Sequence, residues 1–382
     1  MKSLLILGAS GIQVPVIETC RRLGHRALVA DYDANAPGLG LADVVPLVVS
    51  TNDTEAILEA ARRHRVDGIV TTSDYPVRSV ARVCRELGLA GLSERCAEIC
   101  TNKFLQRQLL RAEGLVAPEC LLVGAAAGLA DVASRLRLPV VVKPVDSSAS
   151  RGVGLVEDWA ALGAAYREAL SYSRSKKVLV EEFISGPEYS VEVLADGSGA
   201  HIVAITEKTT QGEDGRYFVE TRHIVPADLA GEAERAVRAC VERAVRAAGI
   251  AHAASHTEVK LTPAGPVIVE MAARLGGDFI TSDLVPLATG VSMVEAVIRL
   301  ALGLEIDAGH RWSQVAGIQF VTPANHGRAE AHFARVRGDA RVKRLEMRPK
   351  PAGAVLRSSL DRLGYCLASA ESRGALLAVL EF

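Results

Sequence analysis

The sequence predicts a mixed fold, a parallel α/β unit at the N-terminus followed by a longer α+β region. Three observations carry this reading. Over residues 1 to about 95, short apolar runs alternate with helical periodicity, the pattern of a parallel sheet with right-handed crossovers. Between about 178 and 272, β-patterned runs follow one another with turns or a single long helix between them, as antiparallel strands do. From about 313 onward, short strands and turns close on one helix.

In order along the chain, residues 3–7, 27–31, 44–49 and 68–72 read as strands, with helices at about 13–23, 54–64 and 77–88. A helical segment follows at about 93–113 and contains Thr101-Asn102-Lys103. Strands are expected at 119–123, 140–143, 154–156 and 178–183, with a helix near 158–170 and an Ala-rich loop and helix at 124–134. Antiparallel strands continue at 190–194 and 201–206, and Arg216 to Val225 reads as a further strand or ordered loop. An Ala- and Arg-rich helix at 230–248 precedes a tight hairpin, in which 257–261 and 266–271 are strands and Pro263-Ala264-Gly265 is the turn. Residues 291–303 form an apolar helix, and 370–380 the last one.

Composition narrows the function classes. The chain has 382 residues, room for two or three domains, and its 49% hydrophobic and 4% aromatic content implies a core built of Ala, Val and Leu. A formal net charge of -1 provides no global field for nucleic acid or an anionic membrane, so neither is expected as a partner. The N-terminus runs directly into a strand pattern, which argues against a signal peptide, and no run approaches the roughly 20 apolar residues of a membrane span. Seven cysteines without paired metal spacing read as free thiols in a reducing, cytoplasmic setting. Cys96 and Cys100 lie four apart on a helix, and buried small hydrophobes are preferred there to half of a zinc site.

The hairpin carries the sharpest chemistry. Its register sets Glu258 opposite Glu270 on one face, and like charges so placed destabilise a sheet. Either a hard divalent cation such as Mg²⁺ sits between them or Lys260, on the same face, neutralises them. Residues 140–154 form a strand, a small polar loop and a strand. Pro144 ends the first strand's pairing, and Ser147, Ser148, Ser150 and Gly152 offer donors and close backbone approach, which suits phosphate oxygens or simply a flexible hairpin. Lys143 precedes that loop and Arg151 lies in it, but no G-K-[ST] follows, so the P-loop is excluded. Residues 180–194 read as strand, turn and strand whose free backbone groups could meet a base edge, with Glu188 placed for ribose hydroxyls. Gly8-Ala9-Ser10-Gly11 with Asp31 resembles a dinucleotide fingerprint, but the third glycine is missing and Pro15 stands where packing wants Gly. A helix N-terminus binding some anion, such as a substrate carboxylate, is preferred there.

Thr101-Asn102-Lys103, the Lys143-Pro144 loop, the hinge from Glu181 to Glu188 and the Glu258/Glu270 pair together resemble the ATP-grasp superfamily in order and spacing. The N-terminal unit and residues 354–369 are similar to the domains that flank it. The resemblance implies three domains: a pre-ATP-grasp domain at 1–95, the ATP-grasp domain at 96–305 with a mobile lid at about 118–185, and a C-terminal α+β domain at 306–382. It implies that Lys103 and Lys143 contact ATP, that Ser147, Ser148, Ser150, Arg151, Gly152 and Val153 form the lid over the phosphates, and that Glu181, Glu182, Phe183 and Ile184 hold adenine. Glu188 would bind ribose, and Glu258 and Glu270 would ligate Mg²⁺, with Mn²⁺ able to stand in. Many relatives carry Asn two residues after the second glutamate, where this chain has Ala272. Either water replaces the amide or only one Mg²⁺ is tightly held.

Arg274-Leu275-Gly276-Gly277-Asp278 has a reading of its own: Arg274 grips a phosphoryl group bidentately, and Gly276 and Gly277 let backbone donors approach an oxyanion. The segment 270–290 is similar to ligases that join two L-amino acids. That resemblance implies acyl-phosphate chemistry and dipeptide synthesis from small-molecule carboxylate and amine substrates, by a homodimer. His223 is then a base for the amine, a substrate contact or a structural histidine. The alternatives are a carboxylase-like or nucleotide-pathway ligase using bicarbonate or another small acid, a nicotinamide oxidoreductase, and a non-catalytic nucleotide-binding scaffold.

Overall fold

Residues 1–211, 217–229 and 231–382 are described by the computed structural model. Strands β1 (Ser3–Leu7), β2 (Arg26–Asp31), β3 (Val44–Val48) and β4 (Gly68–Thr71) form a parallel sheet in the order β3-β2-β1-β4. Their runs are almost wholly apolar because both faces are covered. Leu4, Ile6 and Val29 pack toward α1 (Val14–Arg22), while Leu5, Leu7 and Leu28 pack toward α2 (Thr54–His64) and α3 (Val77–Leu87).

The helical segment expected at 93–113 is two helices, α4 (Glu94–Cys100) and α5 (Lys103–Ala112). Asn102 makes the break: its backbone is extended and its side chain accepts from the Phe104 and Leu105 amides at 3.0 and 3.2 Å, an N-cap that restarts the helix. Lys103 is thereby the first residue of α5.

A second four-stranded sheet, in the order β5-β8-β6-β7, is built from β5 (Cys120–Val123), β6 (Val140–Pro144), β7 (Gly154–Val156) and β8 (Val178–Glu182), with α6 (Leu129–Arg135) and α7 (Trp159–Tyr172) packed on it. Pairing of β6 with β7 stops at Val142. The β8 register, contrary to expectation, runs on through Pro144. Proline loses only its N–H, so its place beside Val178 is kept.

The third sheet has eight strands in the order β13-β12-β9-β10-β11-β14-β16-β15, all neighbours antiparallel. These are β9 (Glu188–Ala195), β10 (Ala200–Gln211), β11 (Val219–Val225), β12 (Ala253–Thr262), β13 (Gly265–Ala272), β14 (Val315–Val321), β15 (Val342–Met347) and β16 (Gly364–Ala370). Helix α8 (Gly231–Ala248) packs on one face. Beyond it come α9 (Val285–Thr289), α10 (Met293–Ala301), α11 (His326–Val336) and α12 (Arg373–Leu380). The last three strands therefore extend the central sheet through β11 and β14. Helix α11 stands where only short strands and turns were expected. Its buried residues Ala329, Phe333 and Val336 make a narrow apolar stripe between histidines and arginines, too thin to stand out as a period. Arg216 and Ala230, expected to open a strand and a helix, lie outside the described residues.

All seven cysteines are buried and unpaired. Among the described residues no single helix is long and apolar enough to cross a membrane. The segment pair Ile280–Thr289 and Met293–Ala301 is apolar enough only in combination, is bent by 114°, and contributes most of its side chains to the core.

Candidate active site

A cavity of about 370 Å³ opens between the four-stranded sheet of β5 to β8, the central sheet and the loop after β4. Seventeen of the nineteen candidate site residues line it; Gly152 and Gly276 do not. The hairpin sets Glu258 directly opposite Glu270, as its register predicts. A bulge follows, and the extra residue, Val269, turns its carbonyl to the Arg107 guanidinium at 2.6 Å.

The like charges are compensated one by one. Lys103 Nζ donates to Glu270 Oε1 at 2.9 Å and to the Ser147 carbonyl at 2.6 Å. Lys208 Nζ donates to Glu258 Oε1 at 2.6 Å and lies 2.8 Å from Glu188 Oε1. The proposed neutraliser, Lys260, does neither. It donates to the Ile184 carbonyl at 3.0 Å and sits 4.6 Å over the Phe183 ring, because its strand neighbour is Glu188, not the Glu258/Glu270 pair. Burial pushes the Glu258 carboxyl up, but Lys208 and His256 outweigh it and hold the group well below the usual carboxylate range. Two carboxylates at the cavity wall form a hard oxygen set that fits Mg²⁺. Among the described residues no cluster of three or more candidate metal ligands forms, so such an ion would complete its shell from water and phosphate.

Behind this pair lies a wholly buried charge cluster. Arg107 donates through Nε and Nη2 to Glu181 at 2.8 and 3.1 Å, and Lys143 Nζ is 2.5 Å from Glu181 Oε1. The Glu181 side chain is thus engaged by two cations, and its oxygens orient Lys143 toward the cavity. Burial lowers the Lys143 ammonium by more than its share of one carboxylate raises it. Arg107 Nη1 is buried without a partner in a residue that lines the cavity, an orphan donor of the kind an anionic ligand satisfies. Arg107 was not singled out from sequence, although it stands four residues after Lys103 on the same helix.

Arg274 is held by an acid from the N-terminal unit. Its Nε and Nη2 donate to both oxygens of Asp74 at 2.8 and 3.0 Å, and Nη1 to the Leu275 carbonyl at 2.8 Å. Gly276 packs on the protein's own charged pair: a Cβ there would come within 2.7 Å of His256 Nδ1 and 2.8 Å of Glu192 Oε2. The close approach expected for an oxyanion is, at this glycine, used on a His256–Glu192 hydrogen bond of 2.6 Å. Burial lowers the His256 imidazole, but Glu192 wins and raises it to about 9. Gly277 faces open space. His223 is 1% exposed; its Nε2 lies 3.4 Å from Asp278, which Arg362 also grips at 2.6 and 2.7 Å, and its Nδ1 has no partner.

Ser147, Ser148, Ser150, Arg151 and Val153, from the loop between β6 and β7, line the cavity, as do Glu182, Phe183, Ile184 and Glu188, where β8 turns into β9. The Phe183 amide is already bonded to the Pro139 carbonyl at 3.0 Å. The N-terminal glycine loop has a structural explanation. Asp31 accepts from the Ala9 and Asp33 amides at 2.8 and 3.0 Å, so the acid a dinucleotide site would turn to ribose is spent holding the loop.

Residues 136–283 match the family model described as an ATP-grasp domain. The chain is 32% identical over 187 residues to a formate-dependent phosphoribosylglycinamide formyltransferase of Prochlorococcus marinus, covering 48% of each protein. It is 28% identical over 250 residues to an alanine–anticapsin ligase of Bacillus subtilis, covering 58% of this chain and 51% of the relative. The chain thus spans about half the length of these two curated relatives. The solved structure of an L-amino acid ligase from Bacillus licheniformis superposes with a TM-score of 0.80 at 25% identity, covering 99% of this chain and 95% of that one. With residues 181–188 and the glutamate hairpin inside the matched domain and its fold shared from end to end with an L-amino acid ligase, this chain carries the ATP-grasp domain of an ATP-dependent ligase.

Proposed function

We propose that the chain joins two amino acids in an amide bond at the expense of ATP. The observation that carries this is one cavity lined both by the opposed Glu258/Glu270 pair with Lys103 and Lys143 and by Arg274, His223 and Asp278. The likeness to an L-amino acid ligase supports the choice of substrates. Bound Mg²⁺, or Mn²⁺ in its place, supplies positive charge against the phosphate oxygens. Glu258 and Glu270 would hold it, while Lys103, Lys143 and the lid from Ser147 to Val153 receive the phosphates, and the hinge from Glu181 to Ile184, with Glu188, receives the nucleoside.

A substrate carboxylate oxygen attacks the terminal phosphorus, and ADP leaves. The amine nitrogen then attacks the acyl carbon, inorganic phosphate leaves, and the amine's proton passes to solvent or to a nearby base. In this scheme Arg274 stabilises the transferred group, and positioning with charge neutralisation does most of the work, as phosphoryl transfer requires. Lid closure keeps water from the acyl phosphate. The same reading takes 1–95, 96–305 and 306–382 as domains, 118–185 as the lid, a homodimer as the assembly and the cytoplasm as the setting.

A small acid in place of the first amino acid is the second reading, favoured by the identity to the formate-dependent formyltransferase. Phosphate release measured with amino acids singly and in pairs, and with formate and bicarbonate, separates the two. We expect turnover that needs a pair of amino acids. Turnover with formate or bicarbonate alone would favour the second reading, and none with any acid would defeat both. Glu270→Gln should abolish ADP formation while circular dichroism stays unchanged.

A further inference from the structure

We propose that Tyr75, in the loop after β4, is a positioning residue that latches the lid by holding Arg151; its catalytic consequence rests on the ligase reading above. Three segments meet at this ring. Arg151 donates from Nη2 to the Tyr75 hydroxyl, and its Nε donates to the Ser148 carbonyl at 3.1 Å, so the guanidinium is fixed at both ends. The Arg174 guanidinium lies 3.7 Å from the centroid of the Tyr75 ring, in cation–π contact. Tyr75 and Arg151 both face the cavity.

Each partner is held for this contact. On the lid side, Asp146 accepts from Ser173 Oγ at 2.9 Å, Arg174 N at 3.2 Å and Ser175 N at 2.8 Å, which pins the backbone that carries Arg174. On the other side, Gln13 Nε2 donates to Thr72 and Ser73, each at 3.1 Å, and Asp74 is clamped to Arg274. Tyr75 is therefore mounted on a rigid loop.

The lid loop needs such an anchor. Ala149, Ser150 and Gly152 have φ of 58°, 55° and 70°, and two of these are residues with a side chain in the left-handed region. Such conformations persist where surrounding contacts hold them. Arg151, between Ser150 and Gly152, supplies the contact. The latch closes the loop from the N-terminal unit, on the side where the ligase reading puts the phosphates.

The test is hydrogen exchange of amides 147–154 in the free full-length chain, comparing wild type with Tyr75→Phe and Tyr75→Leu. Tyr75→Phe keeps the ring beneath Arg174 and loses only the hydroxyl, so exchange should rise a few-fold. Tyr75→Leu loses both contacts, and exchange should rise roughly tenfold. Amides of β1 and β12 serve as the folding control and should not move. Lid exchange equal to wild type in both variants overturns the latch, as does an increase spread equally over β1 and β12. With ATP and Mg²⁺, Tyr75→Leu should bind nucleotide several-fold more weakly by calorimetry and release more phosphate per amide formed. A wild-type chain that binds no ATP would count against the ligase reading, while the exchange result still decides the latch.

Discussion

Glu181 shows how a single side chain orders the wall of the cavity. Burial alone would raise its carboxyl, but Arg107 and Lys143 together pull it down to about 2. Removing it leaves two buried cations without their anion, which costs about 3–5 kcal/mol. Glu181→Gln should therefore lose that much in urea unfolding at neutral pH, and nucleotide affinity with it, because Lys143 is no longer aimed. The pH dependence has a definite sign. A folded pKa below the unfolded value of about 4.3 contributes stability that is complete above that pH and is lost as pH falls toward 2. The wild-type stability curve should be the steeper of the two over that acid range. Equal slopes would mean that Glu181 is not the titrating partner of Arg107 and Lys143.

Elements set the geometry that these side chains use. The β12–β13 pairing was legible because strand side chains alternate with period two and a short turn fixes the register, so Glu258 opposite Glu270 follows from counting. The Asn102 break was not legible as a break, yet it starts α5 at Lys103 and sends Lys103 and Arg107 to one face. Asn102→Ala should cost about 1 kcal/mol of stability, and a larger fractional loss of ATP affinity than of stability would show that the cap also aims Lys103. Gly276→Ala would force a Cβ against His256 and Glu192. Overpacking of this kind costs roughly 1–3 kcal/mol. Thermal unfolding should register that loss, and an unchanged melting temperature would show that the hairpin can shift away.

For the whole molecule, the cavity is made by three separately built parts, and a ligand that bridges them should bind only the folded chain. ATP with Mg²⁺ at about 100 times its Kd should add about 2.7 kcal/mol to stability. The expected readout is a clear rise in melting temperature with ATP and Mg²⁺ that a chelator largely abolishes. NAD(P) should produce no comparable rise, since Asp31 is engaged by its own loop.

Most of the strand and helix order and the opposed glutamates came from the sequence by itself, since each is a local matter of period, turn chemistry or spacing, whereas helix α11 and the Asn102 break did not. The partners of those residues were decided only by tertiary structure. Lys103 meets Glu270 across 167 positions, Arg274 meets Asp74 across 200, and Lys208, not the nearer Lys260, reaches Glu258. A charge is satisfied by whatever chain topology brings within about 3 Å, and Coulomb attraction depends on that distance in space and on the local dielectric, not on separation along the chain.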